Sequence, residues 1–157
     1  EVDIRLKENL SNKKDKNIND GADMALVVID KNNGELIFSG AKLDMYKVQN
    51  KEAEKIKGSR RSIGYSLSND NFTNKKIKLK SNENYYFTTD GYLDQNSKDS
   101  SYGIGKNGFT KLLEKIADKS ISQQKEFIKK DIENKISQVE QRDDITVIAL
   151  NLSKFTT

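Results

Sequence analysis

The period of the apolar residues changes once along this chain, and that change limits the fold more than any other feature. From residue 23 to residue 89 the apolar residues come in short runs rich in aromatic and β-branched types, cut by Gly, Asn and Asp. Beyond "DQNSKDSSYGIG" they recur at helical spacing instead: Phe109, Leu112, Leu113 and Ile116, then Ile121, Ile128, Ile132 and Ile136. Strands followed by helices and one closing strand make an α+β protein.

Within the strand region, "DMALVVID" (23–30) is apolar on both faces and reads as a central strand. The turn "KNNG" (31–34) joins it to "ELIFSGA" (35–41) as a hairpin. "DMYKVQ" (44–49) and "EAEKIKG" (52–58) continue the meander, and "SRRSIGYSLSNDN" (59–71) is a long polar loop. The stretch 75–80 alternates, so Ile77 and Leu79 face a core while Lys76, Lys78 and Lys80 face water. "NYYFTT" (84–89) is the next strand. At the far end "DDITVIALNL" (143–152) reads as a buried closing strand. Ser120 and Gln123 have the spacing of a capping box before the second helix. At the start, Val2, Leu6 and Leu10 mark the tail of a helix that runs into a polar loop, so the chain reads as beginning mid-element.

With 157 residues the chain has the size of one domain, and neither an internal repeat nor a linker divides it. The sequence holds no cysteine, no histidine and no proline. Disulfides, thiolate nucleophiles, zinc–thiolate sites and histidine bases are thereby excluded. Chemistry must rest on carboxylates, hydroxyls, amines or hard metal ions, and Asp and Glu oxygens suit Mg²⁺ or Mn²⁺. The formal charge of +4 is spread along the chain, and its densest basic run, "NKKIKLKSN" (74–82), alternates like a half-exposed strand, so no nucleic-acid partner is expected. No apolar run approaches the length of a membrane span and "EVDIRLKENLSNKK" lacks a signal-peptide core. The expectation is a cytoplasmic protein, or a part facing the cytoplasm, without direct membrane contact.

Two acidic positions stand out. Asp90 ends the strand 84–89, with Gly91 after it to allow a sharp turn, and Asp143 with Asp144 precedes the closing strand. If those strands are antiparallel neighbours, the carboxylates meet at one rim. Like charges that close are unfavourable unless a cation lies between them. Residue types alone leave two options open there, a metal site or ordinary turn-capping aspartates.

"FTTDGYLDQ", "QRDDITVIAL", "DGADMALVVIDKNNGELIFSGAKLDMYKV" and "IKGSRRSIGY", in this order-preserving set of matches from about Asp20 to Leu152, resemble the SpoIIE-type sporulation-phosphatase branch of the bacterial metal-dependent protein phosphatases, the PPM family or protein phosphatase type 2C. The resemblance implies an antiparallel β-sandwich flanked by helices, in α/β/β/α layers. It implies that Asp90 is a ligand of the family's binuclear Mn²⁺ or Mg²⁺ centre beside Gly91, that Asp143 is a second ligand, and that Asp144 supports the site or caps the following strand. Ser39, Gly40 and Gly64 fall in stretches that the family keeps near its site, Gly64 as a structural turn. The implied activity is hydrolysis of phosphoserine or phosphothreonine on a bacterial regulatory protein, of the anti-sigma-factor-antagonist kind, by a metal-activated water.

The chain also departs from the family pattern. Family members carry further metal-binding aspartates in "GGD"-like and "DGHG"-like segments before the strand matching "MALVVID", and this chain shows neither; Asp20-Gly21 falls elsewhere in the match and is assigned no metal. The expectation is therefore the C-terminal part of a phosphatase domain, lacking the first strands and first metal motifs. The alternative function is a catalytically incomplete module with a binding or regulatory role. Sheet edges left open by missing strands would favour a homodimer.

Overall fold

The structure, a computed structural model, describes residues 1–11, 21–64 and 71–156. The Leu10 side chain, the polar tract 12–19, Asp20 and residues 65–70 of the expected loop lie outside the described residues. The chain folds into two compact units, Glu1–Met45 with Lys57–Lys78, and Tyr46–Ile56 with Leu79–Thr157. Each unit carries one antiparallel sheet, in keeping with the α+β class.

The first unit contains helix α1 (Val2–Ser11) and strands β1 (Met24–Asp30), β2 (Glu35–Ala41) and β5 (Lys75–Lys78), in the order β1-β2-β5. The hairpin β1–β2 closes at Asp30, opposite Glu35. Asp30 organises the turn: its carboxylate accepts from the backbone N–H of Asn32 (3.0 Å) and Asn33 (3.1 Å) and from the Asn33 amide (2.7 Å). These Asn33 bonds hold the Asp30 pKa below the usual carboxylate value. The middle strand is β2, so the expectation of a central strand at 23–30 is corrected: β1 lies at the edge of the sheet among the described residues. Its two apolar faces have different surroundings. Val27 and Ile29 pair with the buried Phe38 and Leu36, whereas Leu26 and Val28 are each half exposed.

Within the same unit, α1 is tied down by Asp3. The Arg61 guanidinium donates to its carboxylate from Nη1 (3.2 Å) and Nη2 (3.0 Å), and the Gly64 N–H donates at 2.8 Å. Gly64 has φ 80, so the turn that aims this N–H is one that glycine adopts easily. Arg61 also stacks over the Phe72 ring at 3.9 Å.

The second unit holds β3 (Met45–Gln49), β4 (Glu52–Ile56), β6 (Asn84–Thr88) and β7 (Val147–Asn151) in the order β4-β3-β6-β7, with helices α2 (Asp90–Asp94), α3 (Gly105–Ile116) and α4 (Ile121–Ile136) and a final 3₁₀ turn, Ser153–Phe155. The expected meander therefore does not continue through 44–58, because β3 and β4 pair in this second sheet. The β3–β4 turn has Asn50 and Lys51 both at positive φ, 51 and 67, the geometry that matches strand twist in a two-residue hairpin.

The core of this unit comes from the helical spacing. Phe109, Leu113 and Ile116 of α3 are fully buried among Tyr46, Val48, Tyr86 and Tyr92. Phe109 meets the Tyr46 and Tyr92 rings edge to face, with centroids 4.9 and 5.5 Å away. α4 starts with the expected capping box, Ser120 and Gln123 each bonding the other's backbone N–H. Its stripe contains a polar member that periodicity does not reveal. Gln124 is 1% exposed, accepts from the Tyr86 hydroxyl (2.6 Å) and donates to the Lys119 carbonyl (2.9 Å). The closing strand is shorter and less buried than expected: it begins at Val147, lies at the sheet edge among the described residues, and leaves Ile148 47% exposed.

The Asp3–Arg61 bonds hold the Asp3 pKa down to about 2, against the opposing effect of burial. A lowered folded-state pKa stabilises above the unfolded value of about 4 and loses that stabilisation as pH falls toward 2. Circular dichroism melts should therefore show a gap between wild type and Asp3→Asn that is widest near pH 5 and closes toward pH 2. A gap of constant size across that range would remove the charge of Asp3 as its source.

Candidate metal centre

β6 and β7 are antiparallel neighbours, with Thr88 opposite Val147 and Tyr86 opposite Ala149. The end of one strand thus lies beside the start of the other, and the two acidic segments follow from this register. Pairing runs one residue past both strands. The Thr89 N–H donates to the Thr146 carbonyl (3.1 Å), while the Thr89 hydroxyl donates to the Asp144 carbonyl (2.9 Å) and accepts from the Thr146 N–H (3.0 Å).

Asp90 then opens α2 with its side chain exposed, followed by buried Gly91, Tyr92 and Leu93. The role expected for Gly91 is corrected here. It lies inside a helical turn with no positive φ, so the chain does not need glycine for a sharp bend. It needs glycine for space: a Cβ at this position would fall 2.4 Å from the Asp144 carbonyl oxygen and 3.2 Å from that of Asp143. The backbones of the two acidic segments are in direct contact.

Asp143 and Asp144 are exposed. One Asp143 carboxylate oxygen accepts from the Asp144 N–H (2.7 Å), and the Asp143 carbonyl accepts from the Gln141 amide (2.8 Å). At the far end of α2, Gln95 is 1% exposed; its oxygen accepts from the Arg142 N–H (3.4 Å) and its nitrogen donates to the carbonyls of Asn96 (3.3 Å) and Glu140 (3.4 Å). Tyr92 anchors the middle of α2, donating to Asp131 of α4 at 2.8 Å, and Asp131 in turn pairs with Lys135. Burial and the Asp131 carboxylate raise the Tyr92 pKa, so the phenol stays protonated.

Carboxylates and carbonyl oxygens at one rim are the donor types that hard divalent cations take. In number they fall short of a cage, since no group of three or more His, Cys, Asp or Glu side chains suited to a metal ion occurs among the described residues. Ser39, Gly40 and Gly64 all belong to the first unit. The Ser39 hydroxyl donates to the Thr73 carbonyl (3.2 Å), and Gly40 packs where a Cβ would meet the Leu43 carbonyl at 2.2 Å. Thr89 and Gln95 are absent from the residues expected at the site. The signal for Thr89 was its place between a strand and the aspartate; Gln95 gave none.

The family model described as Stage II sporulation protein E (SpoIIE) matches residues 1–153. The chain belongs to the SpoIIE family. Among solved structures, the SpoIIE-family chain is similar to the SiaA-PP2C domain of Pseudomonas aeruginosa, with 30% identity and a TM-score of 0.71 over 83% of this chain and 51% of that one. It is similar in fold to the Mn-presoaked phosphatase domain of SpoIIE from Bacillus subtilis (16% identity, TM-score 0.63, 94% and 70% of the two chains). The same holds for the RsbU and RsbW domains of Rv1364c from Mycobacterium tuberculosis (18%, 0.60, 92% and 44%). Comparison with curated protein sequences gives no match. The chain spans about half the length of the SiaA domain it matches. These neighbours share its fold of two antiparallel sheets with helices, which agrees with the SpoIIE-type PPM branch to which the family match points. No helix among the described residues is long and apolar enough to cross a membrane.

Because nothing flexible lies opposite Gly91, Gly91→Ala is expected to cost roughly 1–3 kcal/mol, the usual range for overpacking. Urea denaturation of the variant measures it; a midpoint equal to that of wild type would mean that the two acidic segments do not pack this closely.

Proposed function

We propose that the protein carrying this chain is a metal-dependent serine/threonine phosphatase that acts on a phosphorylated bacterial regulatory protein in the cytoplasm. Support comes from the backbone contact between the Asp90 and Asp143 segments in a chain of the SpoIIE family. Asp90 and Asp143 would hold the metal. Asp144 would support them through its carbonyl, which already accepts from Thr89. The chemistry that paired Mn²⁺ or Mg²⁺ ions supply is neutralisation of phosphoryl oxygens and a water made nucleophilic near neutral pH. Such a route needs no protein nucleophile, and it suits a chain with neither histidine nor cysteine to carry a phosphoryl group. The remaining ligands would come from "GGD"-like and "DGHG"-like segments elsewhere in the full-length protein. The family resemblance points to a regulator of the anti-sigma-factor-antagonist kind as substrate.

A second reading is a binding or regulatory module whose site is catalytically incomplete, and the shortage of acidic ligands among the described residues favours it. Phosphate release from a phosphoserine protein separates the two. Outer-shell partners of metal ligands alone are worth roughly 10–100-fold, so Asp90→Asn in the full-length protein is expected to lose at least that much of the Mn²⁺-dependent rate. Equal rates for wild type and Asp90→Asn would remove Asp90 as a ligand, and no release by either would leave the binding-module reading.

A further inference from the structure

α2 is five residues long, too short to hold a direction by itself, so the position of Asp90 is decided by what fixes the two ends of that turn. Both ends are tied to the segment that carries Asp143. At the first end the Thr89 hydroxyl fills the place of a ladder partner, giving one hydrogen bond to Asp144 and taking one from Thr146. At the second end the buried Gln95 amide reaches across to the backbone of Glu140 and Arg142. Asp143 lies between these two attachments, and Gly91 lets the start of α2 pack against the Asp144 and Asp143 carbonyls.

We propose that Thr89 and Gln95 are positioning residues that set the separation of the Asp90 and Asp143 carboxylates. The inference rests on the phosphatase reading, in which those carboxylates hold metal, and it gives each residue a distinct part. Thr89 fixes the start of α2 against the start of β7. Gln95 fixes the angle at which α2 leaves the sheet. Both act through the backbone of the Asp143 segment. A buried amide bonded only to backbone also has a strong reason to keep its place, since a buried partner left unsatisfied loses its hydration with nothing in return.

The test uses the full-length protein and reads Mn²⁺ affinity by calorimetry beside the melting temperature of the metal-free form. Thr89→Val and Gln95→Met keep size and remove the bonds; each is expected to weaken Mn²⁺ binding by roughly 10–100-fold, the range for outer-shell partners. Thr89→Ser, which keeps the hydroxyl, should bind as wild type does. Thr88→Val is the control, because the Thr88 hydroxyl donates to the Thr89 carbonyl and makes no bond to the Asp143 segment; its affinity should not move, whatever happens to its melting temperature. If Thr89→Val or Gln95→Met fails to fold, Thr89→Ala and Gln95→Glu replace them, with weakening again the expected result. Wild-type affinity in a folded variant overturns the role of that residue, and equal weakening in Thr88→Val overturns both roles. Mn²⁺ binding by wild type that Asp90→Asn abolishes and that both Thr89→Val and Gln95→Met spare defeats this inference alone. No Mn²⁺ uptake by wild type defeats the phosphatase reading and this inference with it.

Discussion

The pairing of β6 with β7 is the constraint on which the candidate site depends. Antiparallel register makes the end of one strand coincide with the start of its neighbour, so whatever follows Thr88 must lie beside whatever precedes Val147. Acidic residues occur at both places. Bringing acidic segments together costs Coulomb energy, yet the exposed Asp90, Asp143 and Asp144 side chains keep access to solvent, which screens them. The attraction that offsets the cost comes from backbone and hydroxyl bonds around Thr89, not from the acids themselves.

The unit that carries this rim is built from interlocking aromatics. Phe109 holds Tyr46 of β3 and Tyr92 of α2 in edge-to-face contact, so one side chain of α3 links the sheet to the helix that begins at Asp90. Tyr92 then passes the link on through its hydroxyl to Asp131 of α4. A displacement of α3 would therefore be felt at the acidic turn through two rings and one hydrogen bond.

Much of this was legible in the sequence, and the misses have identifiable physical causes. The capping box at Ser120 and the stripe of Phe109, Leu113 and Ile116 are local features, decided by residues three or four apart, and the structure keeps them. The convergence of Asp90 with Asp143 was legible conditionally, since it needed only that two strands be neighbours. Strand position within a sheet was not. The apolar pattern of β1 fits a middle strand as well as an edge with half-exposed Leu26 and Val28, because pattern records side-chain type and not what pairs beside it. The break of the meander after Ala41 was equally hidden, for the same kinds of residues serve in either sheet.

Two buried amides show where periodicity stops being informative. Gln124 and Gln95 are each 1% exposed, one inside an apolar stripe and one after a short helix, and neither position asks for a polar residue. What makes each tolerable is a set of partners distant in sequence: Tyr86 for Gln124, and the backbone of Glu140 and Arg142 for Gln95. A buried amide costs free energy unless its donors and acceptor are satisfied, so its side chain is held in one orientation. Apolar contact is non-directional, whereas a bonded amide prefers one orientation. The core uses this at Gln124 to fix the register of α4 against β6. The rim uses it at Gln95, where the group being fixed carries the carboxylate on which the proposed chemistry turns.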